Sequence, residues 1–193
     1  MPKLGMEPIR KAALVNATIT EIGRVGSLDV TVSQIAKRAG MSSALAHHYF
    51  GSKEEMFLAA MRHVLTVYGA EVRGALALAD TPRARIEAVL RASFSASNFR
   101  REAVGAWLNF YVLAQTVPEA KRLLAVYQGR LRSNLLVGLR PLCGDRAPAV
   151  ADGLGALIDG LYLREVLKSG PPDAKAAVAM ALAYLQVQLD IRP

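Results

Sequence analysis

The chain is poor in the residues on which secreted proteins and most enzymes depend. Its 193 residues include one cysteine, Cys143, three histidines, one tryptophan and an aromatic fraction of only 6%. A single cysteine excludes an internal disulfide framework. Three histidines, two of them adjacent at 47 and 48, offer no metal-ligand spacing, so neither a metal nor a cofactor is expected. There are no paired carboxylates in a motif, no nucleophile elbow and no phosphate-cradling glycine loop, which argues against catalysis. No apolar run reaches the roughly 18 residues a membrane span needs, and the N-terminus lacks a signal-peptide core. The expectation is a cytoplasmic protein with no membrane contact. Period-two alternation bounded by tight-turn dipeptides is also missing, which excludes a sheet-based fold.

What remains is a hydrophobic, helix-forming chain. With 52% hydrophobic residues it can bury a sizeable core, divided between a small domain and a larger one. Proline, glycine and serine breakers predict about nine helices, over 8–25, 32–38, 42–48, 53–78, 82–97, 102–116, 118–139, 147–168 and 173–189. The fold class is therefore all-α. A net charge of +8 and a pI near 9.9 suit a polyanionic partner, yet residues 1–50 carry only +3 of that charge. Arg100, Arg101, Lys121, Arg122, Arg130 and Arg132 read as solvated helix faces instead.

The informative stretch is Thr31 to Phe57. Thr31 with Gln34 forms a capping box that opens a helix with Ile35 and Ala36 facing inward. Gly40 can adopt the left-handed conformation needed to turn sharply into a second helix, for which Ser42 is the N-cap. Ser52 with Glu55 forms a further capping box, opening a longer helix that carries Met56, Phe57, Ala60 and Met61. Two short helices about a glycine turn can place one of them in a DNA major groove.

This order of capping threonine, Ile-Ala, Ala-Gly, serine-started helix, His-Tyr-Phe and Ser-Lys-Glu-Glu resembles the DNA-binding domain of the TetR family of bacterial repressors. Residues Ile9 to Gly26 extend it, with Leu14, Thr18 and Ile22 on the bracing face of a first helix. The opening Met1–Met6, Ala106–Tyr111, Arg130–Leu136 and Leu157–Arg164 are similar to the BetI branch, which represses genes for choline uptake and its oxidation to glycine betaine. The resemblance implies a helix-turn-helix domain over 8–68, with the motif at 31–50, and an effector-binding and dimerisation domain over 69–193.

In such a module Ser43, Ala44, Leu45 and His47 are candidates for base edges. Ser43 can donate or accept, Ala44 and Leu45 suit thymine methyl groups, and His47 can donate to guanine. Thr31, Ser33, Ser42, His48 and Tyr49 would face the DNA backbone, joined by Lys53 and, less directly, Lys37. In the second domain Trp107, Phe110 and Tyr111 share one helix face, with Tyr127 on the next helix and Asp159, Tyr162 and Glu165 on the one after. Such a set is either plain core or an aromatic box for a quaternary ammonium, which has no proton to donate and is held by ring faces and a nearby carboxylate.

The last two helices, with Val150, Leu154, Leu157, Ile158 and Leu161 on one and Val178, Ala181, Tyr184, Leu185 and Val187 on the other, are too apolar for two solvent-facing helices. They predict a homodimer on a palindromic operator, with half-sites about 34 Å apart. The expected partners are thus double-stranded operator DNA and a small effector, choline or a relative. A TetR-type regulator answering another hydrophobic or cationic molecule is the alternative. A helical ligand-binding protein that never meets DNA is a third reading, and it leaves Thr31 to Lys53 unexplained.

Overall fold

Caps and glycines set where each helix begins and ends. In the computed structural model, which describes residues 5–191, Thr31 Oγ1 accepts the Gln34 N–H at 3.2 Å while Gln34 Oε1 accepts the Thr31 N–H at 2.7 Å, starting α2 (Val32–Arg38). Gly40, at φ 68°, lets the Met41 N–H reach back to the Ala36 carbonyl at 2.9 Å, and Ser42 then caps α3 (Ser43–Phe50). The remaining elements are α1 (Met6–Val25), α4 (Lys53–Ala77), α5 (Pro82–Ser93), α6 (Arg101–Thr116), α7 (Pro118–Cys143), a 3-10 turn (Gly144–Arg146), α8 (Ala147–Leu167) and α9 (Ala174–Asp190). Met1–Leu4, part of the opening block, lie outside the described residues. Among the described residues no helix is long and apolar enough to cross a membrane.

The all-helical expectation stands, and the elements follow the expected order, with three of the boundary shifts traceable to particular residues. Helix α3 runs two residues further, to Phe50, where Gly51 at φ 73° ends it. Helix α5 stops at Ser93 rather than 97, because Ser95, Ser97 and Asn98 turn their side chains onto Glu71 of α4 instead of continuing the helix. Helix α7 passes through Pro141 to Cys143, since a proline in the last turn frees only the carbonyl of Val137, an exposed residue. The second capping box is half formed. Ser52 Oγ accepts the Glu55 N–H at 3.1 Å, but the Ser52 N–H goes to the Phe50 carbonyl at 2.8 Å.

Packing gives one continuous core with two lobes. Leu14, Ile22, Ile35, Ala46, Met56 and Met61 close the small module of α1 to α3 and the start of α4. Ile86, Leu90, Leu135, Leu139 and Leu154 form the heart of the larger bundle. Helix α4, with 25 residues and a length of about 37 Å, belongs to both. The second bond between them is α1 lying on α6. A Cβ at Gly23 would stand 2.3 Å from the Glu102 carbonyl oxygen, and one at Gly105 would stand 3.1 Å from Gly23 Cα, so the two backbones touch.

That crossing predicts a specific cost. Gly23→Ala should destabilise the fold by about 1–3 kcal/mol through overpacking, lowering Tm by about 5 °C in a calorimetric scan. Gly74→Ala, in a helical position where a Cβ meets nothing within 4 Å, should leave Tm unchanged or raise it.

Candidate functional site

The helix-turn-helix presents one polar face. Ala46 is fully buried and pins α3 to its neighbours, which turns Ala44, His47 and His48 outward and leaves Ser43 and Leu45 partly covered at the edges. Thr31, Ser33 and Ser42 are exposed at the starts of α2 and α3, where unpaired backbone N–H groups also point out. His47 Nδ1 lies 2.9 Å from the Gly51 carbonyl, and the His48 and Tyr49 rings meet at a tilt, 5.4 Å between centres. The Tyr49 hydroxyl accepts from Arg10 at 3.4 Å, so α1 helps to place it. Lys53 donates to the Leu28 carbonyl at 3.2 Å and lies 5.5 Å from the centre of the Phe57 ring, which holds its ammonium between the α1–α2 connection and the first turns of α4. The ten expected contact residues are exposed or half-buried on α2, α3, their caps and the start of α4.

The frame behind that face is an ion-pair cluster. The Glu21 side chain is only 4% exposed, yet it binds Arg24 on its own helix at 2.8 Å and Arg38 at the end of α2. Hydrogen bonding from Arg24 holds its carboxyl below the usual range, with Arg38 adding to the effect against the opposing influence of burial. The pair with Arg38 ties α1 to α2 directly.

In the larger domain the rings converge from four helices. Trp107 of α6 meets Tyr127 of α7 edge-on at 4.7 Å, and Tyr127 meets Tyr68 of α4 at 5.3 Å. Tyr162 of α8 donates to the Ser93 carbonyl and packs on Phe99 at 5.0 Å. Together with Val64, Asn98 and Ala103, the residues Tyr68, Trp107, Tyr127 and Tyr162 line one pocket. Its free volume of about 10 Å³ has room for a single water at most, so anything larger must part the rings. An open groove of about 630 Å³ between α4 and α7 lies on the other side of Tyr68 and Tyr127, which line both spaces.

Not every expected residue reaches this pocket. Phe110 is fully buried, 6.5 Å from Trp107, and serves as core behind the wall. Tyr111 packs against Trp107 at 6.0 Å and donates to Asp159 at 2.7 Å, while Asp159 borders a separate hollow beyond Tyr127. Glu165 turns away to bind Lys168 and the Asp173 N–H at 2.9 Å, closing the α8–α9 turn. Four lining residues, Val64, Tyr68, Asn98 and Ala103, were not anticipated. Tyr68 sits in a helix with no local mark to distinguish it, and Asn98 read only as a breaker.

Burial sets the charge state of the pocket. It pushes the Tyr68 phenol up to about 12 and raises Tyr127 and Tyr162 as well, so these rings are neutral at physiological pH. Burial also raises Asp159, against the hydrogen bond from Tyr111. Neutral ring faces near carboxylates make a site that suits a cation without protons to share.

Residues 14–60 match the tetR family of bacterial regulatory proteins, and residues 82–190 match the C-terminal domain of BetI-type transcriptional repressors. The HTH-type transcriptional regulator BetI of Brucella anthropi is 50% identical over 190 residues, 98% of either chain. The BetI regulator of Rhizobium meliloti is 51% identical over 98% of this chain and 94% of its own. Among solved structures, a transcriptional regulator from Saccharomonospora viridis in complex with choline shares the fold with a TM-score of 0.78. That match covers 91% of this chain and 95% of the other at 18% identity.

The lowered Glu21 carboxyl makes stability pH-dependent. Its ion pairs contribute fully above the ordinary value of 4.5 and are lost as pH falls through the lower folded value. Glu21→Gln should therefore lower Tm at pH 7, and the difference from the unaltered protein should close as both are titrated into acid in thermal scans.

Proposed function

Because the chain belongs to the TetR family of bacterial regulatory proteins and to its BetI-type branch, we propose that it grips a palindromic operator as a homodimer and is modulated by choline or a related quaternary ammonium. Membership makes it a DNA-binding transcriptional repressor and not an enzyme. The genes under its control, on this reading, serve choline uptake and glycine betaine synthesis. The observation that carries the effector is the convergence of the Tyr68, Trp107, Tyr127 and Tyr162 rings on one pocket. The choline complex of the Saccharomonospora viridis regulator supports it, since that protein shares the fold.

The reading head spans residues 8–68 and the sensor 69–193, so the boundary falls inside α4. Ser43, Ala44, Leu45 and His47 meet base edges. Thr31, Ser33, Ser42, His48 and Tyr49 meet the DNA backbone, and Lys53 exchanges the Leu28 carbonyl for a phosphate. In the sensor, Trp107, Tyr127 and Tyr162 hold the ammonium with Tyr68, while Tyr111 and Asp159 stand behind them and bias the field toward a cation.

Dimerisation through α8 and α9 is supported by what the single chain leaves uncovered. Val150, Leu154, Ile158, Leu161, Ala181 and Leu185, counted from the sequence as interface, are already buried within the subunit. Leu163, Leu167, Met180 and Val187 remain exposed on the same two helices, and a second copy would cover them.

Induction follows from the closed pocket. A trimethylammonium head cannot enter without parting the rings of Tyr68, Trp107, Tyr127 and Tyr162, and two of the helices that carry them, α4 and α6, reach the reading head. The ligand therefore favours a different setting of the two heads only by binding that setting better. A second reading, a larger apolar effector, is favoured by the open groove lined by Leu65, Val72, Leu76 and Leu131.

Two measurements bear on these assignments. Lys53→Ala should weaken binding to any DNA and flatten the slope of log affinity against log salt by about one unit in a fluorescence titration; an unchanged slope removes Lys53 from the contacts. Trp107→Ala should weaken choline binding about tenfold or more by calorimetry and Asp159→Asn less, while undiminished affinity in both ends the ammonium reading.

A further inference from the structure

The polar edge of the aromatic pocket is built by the turn between α5 and α6. Phe94 and Phe99 pack edge-to-face at 5.0 Å, and the loop between them brings three side chains onto one carboxylate, Glu71 of α4. Glu71 Oε2 accepts from Ser95 Oγ and Asn98 Nδ2, and Oε1 accepts from Ser97 Oγ. The Asn98 nitrogen also donates to the Ala92 carbonyl at 3.2 Å and to Ser95 Oγ at 3.0 Å. A carboxylate and a backbone carbonyl only accept, so the nitrogen must face them and the amide has one orientation. Oδ1 takes no hydrogen bond from the described residues, and it is what Asn98 has left to offer the two hollows it lines, the aromatic pocket and a neighbouring space of about 160 Å³ that His63 and Arg100 also border. Tyr68 and Tyr162, by contrast, have their hydroxyls engaged with Ser93.

We infer that Asn98, held in place by Glu71, selects among quaternary ammonium ligands by the group at the end of their arm, taking a hydroxyl through Oδ1 and refusing a carboxylate. The inference rests on the ammonium reading above. Ring faces recognise the trimethylammonium head but are blind to what the arm carries. A hydroxyl donates to Oδ1 and completes its hydrogen bonding. A carboxylate brings only acceptors, which would face the amide oxygen within the field of Glu71. Discrimination of this kind is strong because a polar site left unpaired is costly. Asn98 is then a specificity-determining residue and Glu71 a positioning residue. The protein would respond to the alcohol, choline, and ignore the acid made by oxidising it, glycine betaine.

Calorimetric titration of the full-length protein with four probes tests this. They are tetramethylammonium, choline, n-propyltrimethylammonium, which has the shape of choline without its hydroxyl, and glycine betaine. Choline should bind about tenfold tighter than the propyl compound and about 100-fold tighter than glycine betaine. Asn98→Ala should bring choline down to the propyl level while tetramethylammonium stays within about twofold. Glu71→Gln should narrow the gap between choline and glycine betaine. Equal affinity of the unaltered protein for choline and the propyl compound overturns the inference with no variant involved. An equal loss of choline and tetramethylammonium in Asn98→Ala overturns it too, by showing a purely structural role. If the unaltered protein binds neither tetramethylammonium nor choline, the ammonium reading falls first and takes this inference with it.

Discussion

Contact between two glycine backbones governs what the two halves of this molecule can do to each other. Gly23 of α1 and Gly105 of α6 approach so closely that neither position has room for a Cβ without a shift. No layer of side chains cushions the crossing, so displacement of one helix is passed to the other as backbone movement. Helix α1 in turn holds α2 through the buried Glu21 and its pairing with Arg38, and it supports Tyr49 through Arg10. On the other side, Trp107 lies two residues beyond Gly105 on α6. The path from aromatic pocket to helix-turn-helix is therefore short and stiff, and α4 provides a second one through Tyr68.

The pocket shows why a ligand would matter to this linkage. Four rings from α4, α6, α7 and α8 meet in space too small for more than a water, and burial keeps the phenols neutral. A closed aromatic cluster is stabilised by its own packing, so a cation has to exchange ring-ring contacts for ring-cation contacts. Only a ligand that gains more from the parted arrangement can hold it, and the size of that difference limits how far the reading heads can be biased. The nearby carboxylates Asp159 and Glu71 tilt the exchange toward a positive charge.

Much of the reading head was legible in the sequence because its determinants are local. Thr31 and Gln34, Gly40, Ser42 and Ser52 act on backbone groups within a few residues, and each takes the cap or turn position its chemistry suits. Of the errors, one was local and one came from a distant partner. The Ser52 N–H found the Phe50 carbonyl before Glu55 could reach it, and three polar side chains after Ser93 found Glu71 more than twenty residues away. The sensor was harder to read. Trp107, Phe110 and Tyr111 share a helix face, yet the direction of α6 sends Phe110 into the core and Tyr111 toward Asp159, leaving Trp107 alone on the pocket.

From the order of residues alone came the helical class, the punctuation of the helices and the capped pair about Gly40. These depend on rotamer strain, capping and glycine conformation, which act over a turn or two of chain. Tertiary packing alone decided that Tyr68 and Asn98 join Trp107, Tyr127 and Tyr162 around one space, that Glu165 faces a turn, and that Leu163 and Met180 rather than Leu154 and Ala181 stay uncovered. Those outcomes follow from how five helices are rotated and crossed against one another, a property of the summed contacts of the bundle that no single segment carries.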